Sequence, residues 1–353
     1  MHQKKIMKAL VIREFGGIEK LLYEDIQTPE PGPGQVLVKV FASGVNHLDH
    51  DLREGISGID VKFPHIPGVE GAGEVVKLGQ GVTSTSIGAR VAIHFAQGDP
   101  RSDMWLSGLD GVDFTHGRIG ASRWGTHAEY CVADETSLIN LPNGVDYEIA
   151  AASIIGLGTA WHMTVSLGNI KAGQTVLINA AGSVVGSSAI QVAKLHGARI
   201  IATAGSKEKL DFAKKIGADE VINYSESNIF EATQELTNGR GVDLVIESVG
   251  GKVLSQSVDS VCLNGKLITC GAHAGEIVEL NIIEIFRKHM MIHGSHLAGR
   301  LEISHVLELV RRKKLQPIIC NKFLLSEAKE AAKRTAERNV FGKMILMPRS
   351  ASN

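Results

Sequence analysis

From residue 6 to about residue 135, apolar and polar positions alternate in short runs: KALVIREF, QVLVKVFASGVN, GAGEVVKLGQGV and ARVAIHF. Turn strings such as PEPGPG separate them. Period-two alternation bounded by Gly and Pro predicts short strands, and a succession of such strands predicts a mostly β domain. The pattern changes at about residue 171. TVLINA, RIIATAGS, DEVINY, DLVIESVG and GKLITCGA now read as strands, and SSAIQVAKLHGA and KEKLDFAKKIGA as helices. Strand, glycine turn, helix, strand is the pattern of an α/β doubly wound parallel sheet. After residue 300, RLEISHVLELVRRKKL predicts an amphipathic helix, KFLLSEAKEAAKR a short helix and FGKMILMP a closing strand that need not join the preceding sheet.

A chain of 353 residues that is 44% hydrophobic and 21% charged can bury two cores. Its 37 basic and 38 acidic side chains nearly cancel, and no like-charged block exceeds RRKK at 311 to 314. That balance argues against nucleic acid or an anionic membrane as partner. The most apolar stretch, IAAASIIGLGTAWHMTVSLG at 149 to 168, is dilute in large aliphatics and carries His162, so it reads as buried core. Cys131, Cys262, Cys270 and Cys320 form no CxxC pair, which predicts reduced thiols in a cytoplasmic protein.

The candidate chemistry starts at TVLINAAGSVVGSSAIQVAK, where small residues lie between a strand and a helix. A helix N-terminus there offers unpaired N–H groups to a pyrophosphate. Gly182, Ser183, Val184, Val185 and Gly186 make up the turn, although a full GxGxxG is absent. About 20 residues later, where an acidic residue would mark a ribose hydroxyl, the chain has Gly205, Ser206 and Lys207. A lysine in place of a carboxylate points to a 2′-phosphate, hence NADP(H).

With these strings in view, the chain resembles the medium-chain dehydrogenase/reductase superfamily over nearly its whole length. PEPGPGQVLVKVFASGVNHLDHDLREG, FPHIPGVEGAGEVVKLGQGV, the AAGSVVGSSAIQ turn, GADEVINY, GVDLVIESVGG and FGKMIL carry the resemblance. It implies a GroES-like β domain over residues 1–135, completed by 300–353, and a Rossmann domain over 136–299. The active site is expected in the cleft between them. It also implies association through the Rossmann sheet edge, giving a homodimer or homotetramer.

Zinc-dependent members hold their metal with a Cys, a His and a later Cys or carboxylate. The matching positions here are Asn46, Val69 and Ile155, and the stretch from Ala96 to Tyr130 lacks the cysteines of a structural zinc lobe. Valine and isoleucine side chains donate nothing to a metal. The departure steers the resemblance to the zinc-free branch of quinone oxidoreductases and enone reductases. By carry-over, Asn46 would hydrogen-bond substrate or cofactor. Tyr224 and Arg338 would join Lys207 around the adenosine phosphate, and Thr159, Gly271, Gly294 and Ser295 would lie along the nicotinamide. Asp51 replaces a common aromatic residue, and Val184 replaces a glycine that would leave more room for the pyrophosphate.

Hydride reduction without a metal suits a quinone or an α,β-unsaturated carbonyl compound, with a proton arriving from a side chain or water. His47, His50, Asp49 and Asp51 are the ionisable groups in the relevant segment, and Asn46, His47 and Asp51 are the catalytic candidates. The same HLDHD string also admits a relocated metal site at His47, His50 and Asp51, while Asp49 fits a structural role at the helix start. Asp110, Asp113, His116 and Arg118 suit either a lid or a subunit contact. The expectation is therefore an NADPH-dependent, zinc-independent oxidoreductase acting on a small carbonyl or quinone. An alcohol or aldehyde dehydrogenase and a nucleotide-binding protein without turnover are the alternatives.

Overall fold

The computed structural model describes residues 5–337 and 341–348. The chain divides into two compact units, one of residues 1–155 with 299–353 and one of residues 156–298.

The first unit holds strands β1 (Ile6–Val11), β2 (Leu22–Gln27), β3 (Gln35–Gly44), β4 (Gly71–Leu78), β5 (Arg90–Ile93), β6 (Tyr130–Asp134) and β7 (Leu138–Asn140). The second holds β8 (Thr175–Ile178), β9 (Arg199–Ala204), β10 (Glu220–Asn223), β11 (Val242–Glu247), β12 (Val261–Thr269) and β13 (Met291–Gly294). The chain then returns to the first unit for β14 (Ile319–Leu324) and β15 (Lys343–Met347).

In the first unit β1 and β2 pair antiparallel, and a seven-stranded sheet runs β14-β15-β3-β4-β5-β7 with β6 also on β3. The alternating valines of QVLVKV point one face of β3 inward, where Val36, Val38 and Val40 meet Val75, Val91 and Ile93. The tail fuses to this unit through β15, whose Ile345 and Leu346 lie opposite Gly44 and Ser43 of β3. Leu346 and Met344 also share a core with Leu10, Leu21 and Leu325.

The second unit is a parallel sheet ordered β10-β9-β8-β11-β12-β13. Strand β8 (TVLI) is buried at every position, as a strand covered on both faces by helices must be. The order reverses between β8 and β11, and such a switch point opens a crevice at the carboxyl ends of the strands.

Residues 136–155 lie in the first unit and not, as the sequence suggested, with the nucleotide-binding half. Strand β7 pairs with β5, and the helix Tyr147–Ser153 packs on β3 and β4. Apolar periodicity shows that such a helix is buried, but not against which sheet. Ala150, Ala151, Leu157, Ala160 and Met163 of the apolar stretch are fully buried. Among the described residues no single helix is long and apolar enough to cross a membrane.

Candidate active site

The GVNHLDHD segment turns from β3 into the helix His47–Glu54. Asp49 closes that turn: one carboxylate oxygen accepts the Asn46 N–H at 2.8 Å and the other the Gly68 N–H at 3.0 Å. This fixes Asn46 at the base of the helix. Its Oδ1 accepts a hydrogen bond from Lys343 Nζ at 2.6 Å, while Nδ2 donates to Glu70 Oε1 at 2.9 Å and to the Gly44 carbonyl at 3.3 Å. Lys343 Nζ also ion-pairs with Glu70 Oε1, and Glu70 Oε2 accepts the Ile155 N–H at 2.8 Å. Lys343 and Glu70 are 1% and 0% exposed at their side chains. A charge so far from water is tolerable only when paired and hydrogen-bonded, and here both conditions hold.

The amide of Asn46, expected to face substrate or cofactor, thus has both N–H groups engaged inside the chain. Its orientation is unambiguous, because only the oxygen can meet an ammonium. The other candidates lie further along the helix. His47 is exposed and Asp51 half-buried. His50 Nδ1 accepts from Arg53 Nη2 at 2.7 Å, and Arg53 in turn reaches Glu54 at 3.0 Å. His50 thus has its Nδ1 taken by an arginine. Among the described residues no group of three or more His, Cys, Asp or Glu side chains is placed to hold a metal.

The second unit gathers most of the remaining candidates at the carboxyl ends of its strands. After β8, Ala180 takes a left-handed φ of 51° and turns the chain into the helix Val184–Leu195. Ser183 caps that helix, its Oγ accepting from Gly186 N at 3.0 Å. The amides of Val184 and Val185, in the first turn, have no intrahelical acceptor. Gly186 is required here, since a Cβ on it would lie 2.3 Å from the Ala180 carbonyl oxygen. Val184 fits for a different reason: its Cγ1 occupies the space that a Cβ on Gly156 would need, 2.4 Å from that position.

Beyond β9, Ser206 caps the helix Lys207–Ile216, and both Ser206 and Lys207 are exposed. Tyr224, just past β10, lays its ring against Gly205, where a Cβ would fall 2.7 Å from Cε2. Lys209, which the sequence reading passed over, packs its stem against Gly182. Gly271 follows β12 and approaches the Ser248 carbonyl too closely for a side chain. Gly294 ends β13, and Ser295 donates its N–H to Thr269 at 2.7 Å while its buried Oγ has no partner among the described residues. Thr159 is buried in the helix Gly156–Trp161. Arg338 lies outside the described residues.

Glu247, at the carboxyl end of β11, is a further group the sequence reading missed. Burial pushes its carboxyl pKa up, against the N–H groups of Val249 and Gly250 and the hydroxyl of Thr269, which hold it down. Its neighbour Cys270 is pushed up to about 12 by burial, so this thiol stays protonated at neutral pH.

Two family models match the chain: an alcohol dehydrogenase GroES-like domain over residues 32–143 and a zinc-binding dehydrogenase domain over 184–312. A quinone oxidoreductase of Pseudomonas aeruginosa is 31% identical over 97% of this chain and 99% of its own length. The human quinone oxidoreductase is 29% identical over 98% of each. Among solved structures, an NAD-dependent alcohol dehydrogenase is 36% identical with a TM-score of 0.91, covering 97% of this chain and all of the other. A thermostable alcohol dehydrogenase from Pyrobaculum aerophilum, with cobalt and zinc bound, is 28% identical with a TM-score of 0.87, over 98% of this chain and all of the other. Two units of these folds, a strand order that reverses between β8 and β11 and relatives matched from end to end identify the chain as an NAD(P)H-dependent oxidoreductase of the medium-chain dehydrogenase/reductase superfamily.

Proposed function

We propose that this protein is an NADPH-dependent, zinc-independent reductase of quinones or α,β-unsaturated carbonyl compounds. The observation that carries the proposal is the closed network of Glu70, Lys343 and Asn46. A zinc ion needs about three protein donors and an open position. Asn46, Val69 and Ile155 occupy the ligand positions by resemblance, and the two carboxylates beside Asn46, Glu70 and Asp49, each have both oxygens engaged. An ammonium already neutralises Glu70, and a dication beside Lys343 would be repelled. The residues present therefore do not fit a zinc ion.

The dinucleotide fits the second unit better. The amides of Val184 and Val185 and the partnerless Ser295 Oγ are donors suited to a pyrophosphate and a carboxamide respectively. Ser206 and Lys207 stand where a carboxylate would select a ribose hydroxyl, and Tyr224 walls the same corner, which favours a 2′-phosphate. When bound, the reduced cofactor supplies the hydride. The chain holds the dinucleotide, excludes water with the buried Thr159 and Ser295 region, and presents ionisable groups at His47 and Asp51 from which a proton can reach the acceptor directly or through water.

Homodimerisation through β13 belongs to the same proposal. This edge strand exposes Met291 and Ile292, and Ile282, Ile283 and Phe286 nearby are also exposed. Unpaired apolar edges of this kind call for a partner. An alcohol dehydrogenase reading is favoured by one observation, the 36% identity to an NAD-dependent alcohol dehydrogenase. Equilibrium binding of NADPH and NADH, followed by an enone, quinone and alcohol panel, separates the two. A large preference for NADPH with enone or quinone turnover is expected; NADH preference with alcohol oxidation would overturn the proposal.

A further inference from the structure

The lobe around residues 99–112 carries chemistry that the proposed reaction does not use. A cavity of about 320 Å3 in the first unit is lined by Thr85, Trp105, Glu135, Thr136, Asn140 and Arg300, among others. Arg300 opens the helix Arg300–Arg311, and its guanidinium carbon lies 4.4 Å from the Trp105 ring centroid. Asp110 comes no closer to Arg300 Nε than 3.5 Å, and spends the same oxygen on the Arg300 backbone N–H at 2.8 Å. Nε is left buried with no hydrogen-bond partner among the described residues. Burial pulls the guanidinium pKa down, with Asp110 opposing. The hydroxyl of Thr85, another lining residue, is also buried with no partner.

Ser84 and Glu135, also on the cavity wall, are already engaged with each other. Glu135 Oε2 accepts from Thr83 N, Ser84 N and Ser84 Oγ at 2.9, 2.7 and 2.6 Å. Arg300 is ion-paired with Asp110 only at that 3.5 Å distance, and its guanidinium, stacked on an indole and half-withdrawn from water, is in a setting that favours a planar oxyanion in the plane of the fork. Asp110 and Glu135 limit the ligand's charge, because a second negative charge would meet two carboxylates.

We propose that this cavity binds a small monocarboxylate, held by Arg300 against Trp105, with Thr85 and Asn140 supplying further polar contacts. The site is independent of the proposed reductase reaction. Butyrate, which has no reducible carbonyl, is the probe, and inorganic phosphate is the competing oxyanion. The chain has three tryptophans, so Trp124→Phe with Trp161→Phe leaves Trp105 as the reporter, and calorimetry on the unsubstituted protein runs in parallel. Saturable quenching by butyrate is expected, weaker for phosphate. Its midpoint should rise about tenfold in Arg300→Gln and about threefold in Thr85→Val, the former equal to about 1.4 kcal/mol. Should Arg300→Gln fail to fold, Thr85→Val and Asn140→Leu carry the same direction of change. No saturable response, a response that these substitutions leave unchanged, or tighter binding of phosphate would overturn the proposal.

Discussion

In the first unit, the buried Glu70 and Lys343 and the half-buried Asn46 use up one another's hydrogen-bonding capacity. In the second, the turn after β8 leaves amides without intrahelical acceptors, and the buried Ser295 hydroxyl has no partner among the described residues. Both centres are polar and both lie at strand ends. The first is a charge balance completed by the protein; the second is a set of donors that only a ligand completes. A carboxylate near a strand end is therefore weak evidence for a metal until the cation opposite it is known. Unspent donors are better evidence for a ligand, because leaving them dry is costly.

Breaking the closed centre should have the largest effect. Lys343→Met leaves Glu70 buried and unpaired, and a loss of about 3–5 kcal/mol in urea unfolding is expected. Adding Glu70→Gln should recover a large part of it; no recovery would mean that the lysine acts through packing rather than charge. The open centre should respond to crowding. In Gly156→Ala the new methyl would meet Val184 Cγ1, and Val184 is stiff at χ1. About 1–3 kcal/mol of destabilisation is expected, with weaker NADPH binding, and Val184→Ala in the same chain should restore both. Lys207→Ala should weaken NADPH about tenfold, near 1.4 kcal/mol, while leaving NADH unchanged by direct titration.

The smallest effect concerns protons. Burial holds the His65 imidazole below its ordinary 6.5. Below that pH the unfolded chain binds a proton that the native state resists. Stability is therefore fully present above about pH 6.5 and falls as the pH drops, by at most about 1.4 kcal/mol per pH unit from this group. His65→Gln should flatten that part of a pH series of unfolding midpoints.

Much of the second unit could be read from sequence because its signals are local. The run TVLINAAGSVVG is strand, turn and helix start within a dozen residues, and the GSK string follows at the next strand end. Lys209 escaped because its stem reaches Gly182 from another helix, a contact that no spacing rule encodes. The first unit resisted for the opposite reason. Lys343 in FGKMIL read as an ordinary strand residue, and its partners Asn46 and Glu70 lie near the other end of the chain. A lysine within a strand that is otherwise apolar was the available signal. Residues 136–155 were misplaced because burial is legible in a pattern, whereas the sheet that supplies it is not.

The most direct test is turnover after exhaustive chelation, with zinc measured by elemental analysis on the same sample. NADPH oxidation with an enone or quinone acceptor should be unchanged when zinc falls far below one per chain. Loss of that activity on chelation, and its return with one equivalent of zinc, would contradict it.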